Sequence, residues 1–205
     1  MSKHCILITG AGSGIGKGLA EGFARDGHSI LVTDLDGDAA GRVAAQILES
    51  GGEASGFSLD VSDNTSVGEA FAQFPHPVEV LINNAGIQHV ARLESFAQAD
   101  WNRLVDVILG GACRMTRAVL PSMREAGWGR VVNIGSIHSL VASPYKSAYV
   151  AAKHGLLGFS RTIALETAEV DITINTICPS YVKTPLVEKQ IRLQALEHQI
   201  PEEEV

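Results

Sequence analysis

Short runs of branched and apolar residues alternate along the chain with longer segments whose apolar positions recur at helical spacing. The runs HCILIT (4–9), SILVTD (29–34), ASGFSL (54–59), VEVLIN (78–83), GRVVNI (129–134) and DITINTI (171–177) read as strands. Segments near 15–26, 37–50, 63–74, 99–125 and 148–168 read as helices. The strand runs are near-continuously apolar, as expected where helices cover both faces of a parallel sheet. Strand–helix–strand successions close as right-handed crossovers. The pattern therefore predicts an α/β fold, a doubly wound parallel sheet flanked by helices, as one domain over 1–205. After Pro185 the polar helical segment LVEKQIRLQALEHQ stands where a last strand is expected, so that strand is read as lacking.

Composition narrows the function classes. Sixteen Lys and Arg face 23 Asp and Glu, for a net charge of -7, and no basic cluster with interleaved aromatics occurs. That excludes a nucleic-acid surface. No run of apolar residues is long enough to span a membrane, and the first strand follows the N-terminus without the pattern of a signal peptide. Cys5, Cys113 and Cys178 are odd in number and far apart, and read as reduced, mostly buried thiols of a cytoplasmic protein. No metal site is expected.

ITGAGSGIGKGLA runs directly from the first strand into the first helix. Gly10 permits a tight turn, Gly14 lets the backbone approach a pyrophosphate, and Gly16 allows the helix to lie close to the sheet. Asp34 ends the second strand 18 residues beyond Gly16, where a carboxylate accepts the ribose hydroxyls of NAD and repels a 2′-phosphate. The strand–loop–helix context makes the sheet Rossmann-type and points to NAD. Asp60 and Val61, after the third strand, are candidates for the adenine. NNAG, from Asn83 to Gly86, ends the fourth strand, where its amides can tie loops together and Gly86 lets the chain run beside the cofactor.

A second group of residues lies towards the same sheet edge. Ser136 follows the fifth strand, and Tyr149 comes 13 residues later with Lys153 four beyond it. Tyr149 and Lys153 share a helical face. A phenol titrates near pH 10, so an adjacent ammonium is expected to favour the phenolate. Ser136 could hold a substrate oxygen while Tyr149 moves its proton and a hydride passes to a nicotinamide.

TGAGSGIG, NNAG, Ser136 and YVAAK together resemble the short-chain dehydrogenase/reductase family, from the first strand to about Gln190. The resemblance implies Ser136 as oxyanion partner, Tyr149 as acid/base, and Lys153 as ribose ligand and modifier of the phenol. It extends the cofactor contacts to Ser13, Ile15, Ala85, Pro179, Val182 and Thr184, and implies a homotetramer built through the long helices. NNAGIQHV, SIHSLVASPYKSAYVAAKHG and TPLVEKQI resemble the D-3-hydroxybutyrate dehydrogenase branch. That likeness implies Gln88, His138, Lys146 and Gln190 as a pocket for a substrate carboxylate. Tyr181 would be an aromatic wall, and a partial lid would lie at about 184–200.

Three departures stand out. Ile108 occupies the position where the family has asparagine in the fourth helix, which should impair the proton relay and remove support for a local helix irregularity. Ser180 replaces a usual glycine. The family chain also continues past this one's last residue. Two other readings stay open: a related dehydrogenase acting on another small hydroxy acid or alcohol, and an NAD-binding homologue with impaired catalysis.

Overall fold

All six expected strands form and join one parallel sheet in the order β3-β2-β1-β4-β5-β6. The computed structural model describes residues 3–180 together with 182, 191, 195 and 201. The strands are β1 (Cys5–Thr9), β2 (Ser29–Asp34), β3 (Glu53–Ser58), β4 (Val80–Asn83), β5 (Trp128–Ile134) and β6 (Asp171–Ile177). The helices between them are α1 (Gly14–Arg25), α2 (Gly37–Glu49), α3 (Asn64–Gln73), α4 (Gln98–Val105), α5 (Gly111–Ala126) and α6 (Ser147–Glu166).

Successive side chains of a strand point to opposite faces, and here both faces are covered. Ile6, Ile8, Ile30 and Val32 pack against Ala20 and Ala24 of α1 and Val43 and Ile47 of α2. Leu7, Leu31, Leu81 and Val131 pack on the other side against Val67 of α3 and Met115, Val119 and Met123 of α5. This two-sided burial explains the continuous apolar runs of the inner strands. The two outermost strands differ from that expectation. In β6, Ile172 and Ile174 are buried while Asp171, Thr173 and Asn175 are exposed, and β3 buries Ala54 beside exposed Glu53. A strand at the margin of the described sheet is covered mainly on one face, so its pattern alternates.

The chain runs outward from β1 to β3 on one side and from β4 to β6 on the other. Loops leaving the carboxyl ends of β1 and β4 therefore diverge and open a crevice at the switch point. Asp36 caps α2 by accepting the Ala39 amide, and Asp63 caps α3 through the amides of Thr65 and Ser66.

The long fourth helix is interrupted. Asp106–Gly110 forms a π-helical turn between α4 and α5, with Ile108 buried inside it. The irregularity expected to fail without asparagine is present, and Arg114 bridges it to the loop after β3 by donating to the Val61 carbonyl at 3.5 Å. Arg114 Nη2 donates to Asp106 Oδ1 at 2.7 Å, and a Cβ on Gly111 would stand 2.7 Å from Val61 Cγ2. The cysteines also depart from expectation: Cys5 alone is fully buried, Cys178 is half-buried and Cys113 is exposed. Cys113 falls on the face of α5 opposite Ala112, Met115 and Val119. No described helix is long and apolar enough to cross a membrane.

Candidate active site

The loop between β1 and α1 turns through glycines at positive φ, Gly10 at 62° and Gly14 at 55°. Asn84 pins it from β4: its Nδ2 donates to the carbonyls of Thr9 and Gly10, both at 2.9 Å. The same nitrogen would lie 2.6 Å from a Cβ on Gly16, so the start of α1 must carry glycine there to sit this close. The loop-tying role read for NNAG thus belongs to Asn84. Asn83 instead turns into the sheet, where Nδ2 donates to Asn133 Oδ1 at 2.8 Å, and it is not on the cofactor-side wall.

That wall encloses a cleft of about 340 Å³. Nine of the residues expected to bind cofactor line it: Gly10, Ser13, Gly14, Ile15, Asp34, Asp60, Val61, Ala85 and Gly86. Asp34 stands fixed at its rim, Oδ2 accepting the Gly12 amide at 2.9 Å and Oδ1 the Asp36 amide at 3.1 Å. Asp60 is partly committed elsewhere, since its Oδ1 accepts from the amide and hydroxyl of Ser62. Leu35, Ile87, Arg103 and Val107 also line the cleft and were not singled out from sequence. Leu35 had a signal, as a large apolar residue directly after the acidic end of β2, and it is 62% exposed. Arg103 and Val107 lie one turn apart but join the wall only through the packing of the fourth helix. A glycine-lined cleft at the switch point, opening on a helix N-terminus with a carboxylate at its rim, fits a nicotinamide dinucleotide.

Ser136, Tyr149 and Lys153 come together beyond this cleft. Ser136 caps a short 3-10 turn (Ile137–Ser139), its Oγ accepting the His138 amide at 3.1 Å, and it also hydrogen-bonds Tyr149. The Lys153 ammonium lies 5.6 Å from the centre of the Tyr149 ring and donates to the Ile134 carbonyl at 2.6 Å. Burial pushes the Lys153 pKa down to about 8, with the neighbouring Cys178 opposing. Tyr149 departs from expectation. Burial raises its pKa above the ordinary phenol value, and the bond to Ser136 only partly offsets this. Lys153 directs one of its three donors to a backbone carbonyl, and its charge is not among the causes acting on the phenol pKa.

One turn before Tyr149 the chain passes through Tyr145, a non-glycine residue at φ 63°, and then buries Lys146, 2% exposed, at the start of α6. Burial alone lowers the Lys146 pKa, and no carboxylate among the described residues pairs with it. His138 packs edge-on against Tyr149, with ring centres 6.1 Å apart. Its Nε2 meets Ser143 Oγ at 3.2 Å, while buried Nδ1 has no partner among the described residues. Burial, the Lys146 charge and His154 hold its pKa below the ordinary imidazole value. Gln88 is half-buried and turns its Oε1 to the His89 amide. The Pro179 carbonyl accepts the Ile137 amide at 2.7 Å, and Val182 is exposed. Tyr181, Thr184 and Gln190, with most of the segment read as a lid, lie outside the described residues.

The profile of the short chain dehydrogenase family matches residues 4–194. The chain belongs to the short-chain dehydrogenase/reductase family. It is an NAD(P)-dependent oxidoreductase of that family. A D-beta-hydroxybutyrate dehydrogenase of Cupriavidus necator is 44% identical over all of this chain and 80% of its own length. Among solved structures, a 3-oxoacyl-[acyl-carrier protein] reductase of Brucella melitensis with bound NAD superposes with a TM-score of 0.87. It is 30% identical, covering 94% of this chain and 77% of its own. A Beutenbergia cavernae protein solved with NADP at low occupancy gives a TM-score of 0.88 at 33% identity, over 94% and 78%. In this short-chain dehydrogenase, Ile108 presents hydrocarbon to α6, packing with Leu104, Ala148 and Ala152.

Proposed function

We propose that this dehydrogenase oxidises (R)-3-hydroxybutyrate to acetoacetate in a reversible reaction, with NAD taking the hydride. The observation that carries the substrate class is Lys146. A buried ammonium with no carboxylate partner is costly, and an anionic ligand would relieve that cost. It lies three residues from Tyr149, beside a histidine whose buried Nδ1 lacks a partner among the described residues. A short substrate with a carboxylate near its carbinol carbon would meet both groups at once. Gln88 would add a donor, and Gln190 and Tyr181 are proposed to complete the pocket.

NAD, bound along the cleft, would accept the hydride from C3 of the substrate. Tyr149 Oη takes the hydroxyl proton as the C–H bond breaks, so substrate and oxidised cofactor give acetoacetate, reduced cofactor and one proton. Ser136 Oγ hydrogen-bonds the substrate oxygen throughout, and Lys153 would hold the ribose and stabilise the phenolate. With the phenol pKa raised, the protonated tyrosine is the ready acid for reduction, and oxidation speeds up as pH rises. The Asp34 carboxylate supports NAD over NADP, because a 2′-phosphate would meet a like charge at the rim. The same reading makes the protein a cytoplasmic homotetramer.

The test follows reduced nicotinamide while (R)-3-hydroxybutyrate, its (S) enantiomer and neutral 2-butanol are offered in turn. Turnover confined to the (R) acid and lost in Tyr149→Phe is the expected result. Turnover of 2-butanol at a comparable rate would overturn the carboxylate pocket and favour a dehydrogenase of neutral alcohols. NAD binding without turnover of any of the three would favour the impaired homologue.

A further inference from the structure

Beside Lys153 lies a small cavity of about 10 Å³, which shares Val61, Ala85 and Val107 with the wall of the cofactor cleft. Its walls include Thr9, Asn83, Ile108, Ala112, Lys153 and Leu156. A volume of roughly 10–15 Å³ on this measure corresponds to one water, provided that polar partners are present. Lys153 brings an ammonium with three donors, of which one goes to the Ile134 carbonyl. Asn83, 6% exposed, brings an Oδ1 that has no partner among the described residues.

The orientation of that amide follows from a chain of buried hydrogen bonds. Ser160 Oγ gives its one proton to the Leu156 carbonyl at 2.7 Å, so it can only accept from Asn133. Asn133 must therefore turn its nitrogen to Ser160 and its oxygen to Asn83. Asn83 must answer with Nδ2, at 2.8 Å, and the same nitrogen also reaches Thr116 Oγ1. Flipping Asn83 would set two carbonyl oxygens against each other. Its Oδ1 is thus committed to facing away from this chain, unsatisfied, in the residue that walls the Lys153 cavity.

We propose that Asn83 is a positioning residue for Lys153: its Oδ1 holds a single internal water that also accepts from the Lys153 ammonium. The amide that hydrates Lys153 then comes from the sheet, while Ile108 supplies only a hydrocarbon wall. The inference rests on placing Lys153 at the reacting end, as in the function proposed above, and not on the identity of the substrate. Other titratable groups facing Lys153 are Tyr149 on its own helix and Cys178 after β6. The cavity walls from β1, β4, the π-helical turn and α5 carry none.

Two measurements on the full chain, without substrate, test this independently of turnover. A high-resolution crystal structure should show one ordered water within hydrogen-bond distance of both Asn83 Oδ1 and Lys153 Nζ. NMR titration of the Lys153 side chain should then be compared with Ala112→Val, which fills the cavity but leaves the Asn83–Asn133 chain intact. Loss of a hydrogen bond to the ammonium should lower its midpoint by about one pH unit, a tenfold change in the ratio of its charged to its neutral form. A dry cavity in the crystal overturns the proposal, as does a midpoint that stays put in a folded Ala112→Val. Failure of the hydroxybutyrate assay touches neither measurement.

Discussion

Asp34 and Gly12 hold each other across the mouth of the cofactor cleft. The carboxylate accepts the glycine amide at 2.9 Å, and a Cβ on Gly12 would fall 2.9 Å from that same oxygen. Charge and loop geometry are coupled here, and two substitutions separate them. Asp34→Asn keeps an acceptor for the Gly12 amide but removes the charge, so NADP should gain at least about tenfold against NAD. Gly12→Ala pushes the carboxylate aside, and affinity for both cofactors should fall by about tenfold or more. Fluorescence titration of the reduced cofactors reads both. Equal discrimination in wild type and Asp34→Asn would remove Asp34 as the selecting group.

Two buried groups give the stability opposite slopes with pH. Lys153 titrates near 8 in the folded chain against 10.5 ordinarily, so between those values the unfolded state binds more protons and stability rises with pH. The Cys5 thiol is pushed up from 9.0 to about 11 by burial and by Glu79 and Glu53, so over that window stability falls. Each effect is worth on the order of 3 kcal/mol once fully expressed. Urea unfolding between about pH 8 and 10 should therefore show a rise that flattens above pH 9 in the wild type. Lys153→Met should leave only the decline, and Cys5→Val only the rise. Parallel curves for all three proteins would contradict the assignment.

What was legible in the sequence was local. Strands such as CILIT and ILVT declare themselves because every residue is buried, on one face or the other, whatever its partner. The glycine loop is similar, since turn, helix N-terminus and Asp34 lie within one strand–helix–strand unit. What could not be read depended on contacts between distant segments. NNAG contains two adjacent amides, and only the three-dimensional packing sends Asn84 to the loop and Asn83 into the sheet. The π-helical turn is present with Ile108 inside it, and Arg114 bridges it to Val61, which no local pattern in DVILG reveals. The exposure of Cys113 likewise depends on which face of α5 meets the sheet. The raised phenol pKa reflects the depth at which packing buries Tyr149, which no local pattern shows.

The same bridge ties the π-helical turn to the cofactor wall. Gly111 touches Val61, and a methyl group there would sit 2.7 Å from Val61 Cγ2 and 3.0 Å from its Cβ. Val61 lines the cofactor cleft. Gly111→Ala should cost about 1–3 kcal/mol of stability by overpacking, and should also weaken dinucleotide binding by displacing Val61. Arg114→Met, which loosens the turn without adding volume, should cost about 1 kcal/mol and leave binding near the wild-type value. Thermal unfolding and cofactor titration of both variants check this. Unchanged cofactor affinity in a destabilised Gly111→Ala would show that the turn and the cleft are not coupled.

Lys146→Met separates a binding role from a structural one most cleanly. A lysine kept for the fold would lose partners on replacement, and stability would drop. Lys146 has none among the described carboxylates, and it sits 2% exposed with its pKa lowered by burial. Replacing that ammonium by a thioether of similar length removes a desolvated charge, which is neutral to stabilising in buried settings. The melting temperature should therefore hold or rise. Turnover should suffer in one constant only: KM for the (R) acid should climb by about tenfold to a hundredfold, the worth of a charge-assisted hydrogen bond, with kcat changed far less. His138 should respond as well, because the Lys146 charge is one of the causes holding its pKa down. Its NMR titration midpoint should move up in the variant. A fall in melting temperature with KM unchanged would make Lys146 a structural lysine, and the carboxylate pocket would lose its cation.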